Sequence, residues 1–226
     1  NLQKMKLKKF FIKKMNKKEL VKITKYLNKK DINRGSSGNL SFRVLNGFVI
    51  TPSSVPNDKL NEKSCVQMDL NGNYKSKLKP STEWRIHRDI YKKRKDIFAI
   101  IHTHPTFSTA VACMNINIPS FHYMIALAGG DDIKCAKYAT FGTDQLSKNV
   151  IKALENRNAC LMANHGLIVG AKDLKAAANL TEEIESIAKQ YLQILKTGKK
   201  PVLLSKEEMK KNLKKIKNYN YGKIKH

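Results

Sequence analysis

Acidic residues are scarce in this chain: 18 Asp+Glu stand against 44 Lys+Arg among 226 residues, a formal net charge of +26. Arginine is scarcer still, because 38 of the 44 basic residues are lysines spread over nearly every segment. Reading phosphates or bases bidentately calls for the planar arginine fork. A Lys- and Asn-rich bias of this kind is compositional, and no specific nucleic-acid partner is expected. The charge should instead steer anionic substrates toward the surface. Cysteine is limited to Cys65, Cys113, Cys135 and Cys160, far apart and without a C-x-x-C pair. That excludes a disulfide framework of the sort small secreted chains use, and reduced thiols in the cytoplasm are expected. No apolar stretch reaches 18 residues free of charge, which argues against a membrane span. Phe10-Phe11-Ile12 in the lysine-rich start is too short for the apolar core of a signal peptide.

What is present points to a packed α/β domain. Hydrophobic residues make up 41%, and runs such as Ile97-Phe98-Ala99-Ile100-Ile101 recur, so the chain can bury a sizeable core. Residues 1–16 form a basic N-terminal extension, 17–205 one domain, and 206–226 a Lys-rich tail with a weak helical period. Apolar spacing predicts helices over 17–26, 107–114, 147–156 and 174–195. Another helix is predicted from Ser81 or Thr82 to residue 95, with Glu83 in its positively polarised first turn. Strands are predicted over 97–101, 159–163 and 167–169. Alternating residues on either side of Asn46-Gly47 predict a β-hairpin. An antiparallel hairpin among alternating strands and helices disfavours a purely parallel sheet and favours a mixed or antiparallel one covered by helices.

Three of the six histidines stand out. His102 and His104 end an apolar strand with one residue between them, and the period of two turns both rings to one face. His165 lies in Asn164-His165-Gly166 between two short strands, where it can project inward while glycine lets the backbone pass close. Three imidazoles leave one position open on Zn²⁺, as a catalytic site requires. Nitrogen ligands disfavour Mg²⁺ and Ca²⁺ but also suit Fe²⁺, Co²⁺ or Mn²⁺. The turns Gly35-Ser36-Ser37-Gly38-Asn39 and Thr51-Pro52-Ser53-Ser54, with the helix start at Ser81-Thr82, are rich in hydroxyl and amide groups. In a +26 chain they suggest a phosphate cradle.

The order Gly38-Asn39-Leu40-Ser41, Thr51-Pro52-Ser53, Ser81-Thr82-Glu83-Trp84-Arg85-Ile86-His87, His102-Thr103-His104, His122-Tyr123-Met124, Tyr138 to Thr143 and Asn164-His165-Gly166-Leu167 resembles the class II aldolase/adducin family. The likeness spans roughly 17–205. It implies an α/β fold, a three-layer αβα sandwich around a largely antiparallel sheet, assembled as a cyclic homotetramer with active sites between neighbours. By matching position, His102, His104 and His165 would hold Zn²⁺. Glu83 would be a fourth ligand and, once substrate displaces it, the acid/base. Asn39, Ser53, Ser54, Ser81 and Thr82 would bind the substrate phosphate, and Tyr123 would be the acid on the aldehyde side. The implied reaction is cleavage of a deoxyketose 1-phosphate, L-fuculose 1-phosphate or similar, to dihydroxyacetone phosphate and a small aldehyde such as L-lactaldehyde. Alternatives on the same scaffold are a pentulose-phosphate 4-epimerase, a sugar-phosphate dehydratase or a non-catalytic adducin-like binding module. The chain departs from the pattern at Ser54, where family aldolases often have glycine. Its tail offers both Tyr219 and Tyr221 for one tyrosine of the aldehyde pocket.

Overall fold

The computed structural model describes residues 15–218; residues 1–14, Tyr219 and Tyr221 lie outside that range. Seven strands form one sheet: β1 (Asn39–Val44), β2 (Gly47–Ile50), β3 (Val66–Met68), β4 (Ala99–Thr103), β5 (Cys135–Ala136), β6 (Ala159–Met162) and β7 (Gly166–Ala171). Their order is β3-β2-β1-β4-β7-β6-β5, antiparallel throughout except where β5 meets β6. Strand alternation sorts the side chains into two cores. Leu40, Phe42, Ala99, Ile101, Leu167 and Val169 point to a face covered by α1 (Lys17–Lys29), α3 (Thr106–Cys113), α5 (Leu174–Lys196) and α6 (Lys206–Asn218). Phe48, Ile50, Ile100, Cys160 and Ile168 point to the other, covered by α2 (Trp84–Lys93) and α4 (Asp144–Ala153). The expected αβα sandwich is thus the observed architecture.

The predicted hairpin forms, with Val44 paired to Gly47 so that Leu45-Asn46 make the turn, one residue earlier than expected. The strand expected over 97–101 runs from Ala99 to Thr103, because His102 and Thr103 pair with Ile168 and Leu167 of β7. This extension places His102 within the sheet. The helix expected over 147–156 starts at Asp144 instead, capped by Thr143, whose hydroxyl accepts from the Leu146 N–H. At the start of the described range, Met15 is buried and Asn16 caps α1, so both residues pack with the domain. Within the Lys-rich tail, residues 206–218 form α6, which buries Met209 in the larger core. Among the described residues no helix is long and apolar enough to cross a membrane.

Candidate active site

The site is built where β1 and β4 lie side by side. Register sets Asn39 opposite His102, so both side chains project from the same face of the sheet, toward the start of α2. Glu83 occupies the N-cap position of α2 yet makes no cap hydrogen bond with its side chain. The carboxylate turns into the protein instead: Oε2 lies 3.0 Å from His102 Nε2 and accepts from Asn39 Nδ2 at 3.1 Å. Oε1 sits 3.3 Å from His165 Nε2 but makes no hydrogen bond, and it is buried.

The three predicted histidines converge. The His102 ring lies 4.7 Å from that of His104 and 4.8 Å from that of His165, and the last two are 5.0 Å apart, centroid to centroid. His165 reaches inward from a three-residue turn between β6 and β7, with Asn164 at φ 53°. Asn tolerates that left-handed conformation better than most residues. Gly166 follows because a Cβ there would press on the Thr103 carbonyl and lie 2.8 Å from His104 Cδ2.

One ligand atom each from Glu83, His102, His104 and His165 falls within 4.8 Å of the others. Three nitrogens and a carboxylate oxygen suit a divalent transition metal. Two further details fit the same group. The buried, unpaired Glu83 Oε1 lacks the partner a cation would provide. His102 Nδ1 is 2.9 Å from the Leu167 carbonyl; by donating to it, the ring keeps its Nε2 lone pair turned toward the cluster, the orientation a metal ligand needs.

Charge within the cluster follows from burial and proximity. Burial alone would raise the Glu83 carboxyl, but the His102 and His165 imidazoles and the Asn39 amide outweigh it, so it stays well below the usual carboxylate range. Burial would lower His102, and the Glu83 carboxylate reverses that, holding the ring above its ordinary value. Burial and the neighbouring rings push His104 down to about 3 and His165 to about 4, so both are neutral at neutral pH. A metal can bind only unprotonated ring nitrogens, so metal affinity should fall on acidification as protons compete for the three imidazoles. Zinc titrations followed by calorimetry at successively lower pH should show the affinity weakening; an affinity indifferent to acid would contradict imidazole ligation.

Beside the cluster lies a cavity of about 340 Å³, lined by all five residues expected at the phosphate (Asn39, Ser53, Ser54, Ser81 and Thr82) together with Glu83, His104 and His165. An isolated antiparallel bridge between Pro52 and Pro80 brings the two hydroxyl-rich turns together, with Ser81 N–H donating to the Thr51 carbonyl and Ser53 N–H to Lys79. Ser54 adopts φ 60°, the left-handed region where glycine is at ease, which explains why glycine suits this position. Asn39 directs Oδ1 toward His87 and one N–H to Glu83, leaving a single N–H for a ligand.

Sequence reasoning assigned no role to Tyr138 and Phe141, which line the cavity while 60% and 63% exposed. Ser36 and Ser37 also line it, from the loop already singled out for its hydroxyl content. Tyr123 is not brought to the cavity. It begins the 3₁₀ turn Tyr123–Ala128 and is 52% exposed.

Comparison with known proteins places this geometry. A family model described as Class II Aldolase and Adducin N-terminal domain matches residues 18–192. The chain is 45% identical over 188 residues to a 5-methylthioribulose-1-phosphate/5-deoxyribulose-1-phosphate aldolase of Rhodospirillum rubrum, covering 83% of this chain and 85% of that protein. It is 44% identical over the same length to an L-fuculose phosphate aldolase of Escherichia coli, covering 83% and 87%. A solved L-fuculose 1-phosphate aldolase superposes with a TM-score of 0.85 at 43% identity, over 89% of this chain and 95% of that one.

Proposed function

The chain belongs to the class II aldolase and adducin family as an aldolase-type lyase, and from that membership we propose that it cleaves a deoxyketose 1-phosphate to dihydroxyacetone phosphate and a small aldehyde, with Zn²⁺ as the metal. The observation that carries this reading is the Glu83, His102, His104, His165 donor set beside a cavity lined by the hydroxyls and amide of Asn39, Ser53, Ser54, Ser81 and Thr82. The two relatives named above differ in their sugars at nearly equal identity. The substrate class common to both is a ketose 1-phosphate whose far end is deoxygenated, L-fuculose 1-phosphate or a 5-deoxypentulose analogue.

The cavity would hold the phosphate through hydroxyl and amide donors at the start of α2, fixing the reacting carbons against the donor set. A metal held by the three histidines would supply Lewis-acid stabilisation of the negative charge that develops on the ketone fragment. Cleavage breaks the C3–C4 bond. The C4 hydroxyl gives up its proton and becomes the aldehyde, and the ketone fragment gains a proton at C3. Glu83 returns that proton to carbon and removes it in the condensation direction, a task for which a carboxylate ionised at neutral pH is suited. Tyr123 exchanges the proton on the aldehyde oxygen. Its exposure and its place outside the cavity support its acting on a neighbouring subunit's site in a homotetramer.

Incubating the zinc-loaded enzyme with a panel of ketose phosphates tests the reaction class. Cleavage releases dihydroxyacetone phosphate, whereas epimerisation preserves the carbon count and dehydration yields water without breaking a carbon–carbon bond. Binding should also weaken with salt, since a +26 chain attracts a phosphorylated substrate over distances that salt screens. KM should therefore rise between low and physiological ionic strength with kcat nearly constant; a KM indifferent to salt would remove the surface charge from substrate capture.

A further inference from the structure

Behind the site, the donor-set face of the sheet carries a polar row of which only the first member, Asn39, reaches the cavity. Asn39, Ser41 and Arg43 alternate along β1 and face α2. Asn39 Oδ1 lies 2.6 Å from His87 Nε2, Ser41 Oγ lies 2.7 Å from His87 Nδ1, and the same Oγ lies 2.7 Å from the Tyr91 hydroxyl. His87, Ser41 and Tyr91 are wholly buried. His87 stands one helical turn after Glu83 and Tyr91 one turn after that, so a single stripe of α2 meets β1.

We propose that His87 is a positioning residue: as the Nε2–H tautomer it holds the Asn39 carboxamide with its amino group turned to the Glu83 carboxylate. The inference rests on Glu83 acting in the reaction.

The direction of every proton in the chain follows from its Glu83 end. The Glu83 carboxylate can only accept, so Asn39 must present Nδ2 to it and Oδ1 to His87. Oδ1 can only accept, so His87 Nε2 must carry the proton. Nδ1 is then bare and accepts from the Ser41 hydroxyl, which in turn accepts from Tyr91. Burial pushes His87 down to about 3, so the ring is neutral and holds one tautomer. A flipped Asn39 would set its carbonyl oxygen against the carboxylate at 3.1 Å and require every later proton to reverse. Hydroxyl protons rotate freely, but the histidine tautomer cannot accommodate both arrangements without moving a proton between its nitrogens. His87 is thus the member that locks the direction. Arg43 anchors the far end, donating to the carbonyls of Tyr91, Arg94 and Ile97 with its guanidinium 4.6 Å from the Tyr91 ring.

Long-range ¹H–¹⁵N correlation on the labelled protein, metal-free and zinc-loaded, reports which His87 nitrogen bears the proton. The Nε2–H form is expected in both; the Nδ1–H form or a mixture overturns the proposal, whatever the enzyme's activity. Kinetics give a second arm. His87→Leu fills the space without a donor and should retain zinc while kcat falls about 10–100-fold, with KM rising as the freed Asn39 loses its set orientation at the cavity. His87→Gln, which can present a donor near the Nε2 position, should recover most of that loss. A purely packing role would lower the melting temperature of both variants and leave kcat per folded, zinc-loaded molecule unchanged, which would also overturn the proposal. If His87→Leu does not fold, the tautomer measured on the unaltered chain decides alone. Should Glu83→Gln turn over normally, the proposed role of Glu83 fails independently of the His87 tautomer, while the reaction itself stands or falls by its products.

Discussion

Replacing His102 or His165 with alanine should strip the protein of bound zinc and abolish nearly all cleavage. In the proposed site each would supply one of three nitrogens, with few ligands to spare. Altering partners one shell further out already costs about 10–100-fold in metal affinity, so loss of a ligand itself should exceed that. His102→Ala also deprives the buried Glu83 carboxylate of its partner at 3.0 Å, so circular dichroism must accompany the metal analysis to separate an empty site from an unfolded chain. His165 is the cleaner position, because it lies in a turn and is partly exposed. His122→Ala is the comparison. Its ring accepts from the Met124 N–H, outside the cluster, and the variant should keep its metal. Either ligand variant with full zinc and full rate would remove the metal assignment.

The reason these histidines were legible in sequence is that their geometry is local. A spacing of two on a strand and an Asn-His-Gly turn fix the direction of a side chain within a few residues. The core helices were legible for the same reason, since a period of 3.6 repeats within each element. β3 and β5, at three and two residues, are too short to show an alternation and went unpredicted. The role of Glu83 was the hardest to read. A glutamate beside Ser81 and Thr82 has the signature of a helix start, and only the Asn39–His102 register, made across residues 63 apart, draws its carboxylate inward. His87 and Tyr91 gave no such signal, because their partners Asn39 and Ser41 lie 46 to 50 residues away. The hydroxyl-rich turns were legible one by one from their composition. Their closure depends on the Pro52–Pro80 bridge, which no local pattern announces.

The carboxylate itself separates binding from chemistry. Glu83→Gln should retain zinc, because the three histidines remain, and Asn39 can still donate to the amide oxygen at the position of Oε2. The amide is nearly isosteric but takes no proton at neutral pH. Loss of general acid–base catalysis typically costs about 10²–10⁴-fold, and kcat should fall by that order. KM should change far less, since Ser53, Ser54, Ser81 and Thr82 are untouched. The competing explanation is that Glu83 only steadies the start of α2, worth about 0.3–1 kcal/mol through the helix dipole. On that view the variant melts slightly earlier and turns over normally. The structure already weakens it, because the side chain makes no cap hydrogen bond and points to His102 and His165 instead. Steady-state kinetics on folded, zinc-replete Glu83→Gln decide the matter: a fall in kcat with zinc and KM preserved places the proton transfer on this carboxylate, and a wild-type kcat takes Glu83 out of the reaction.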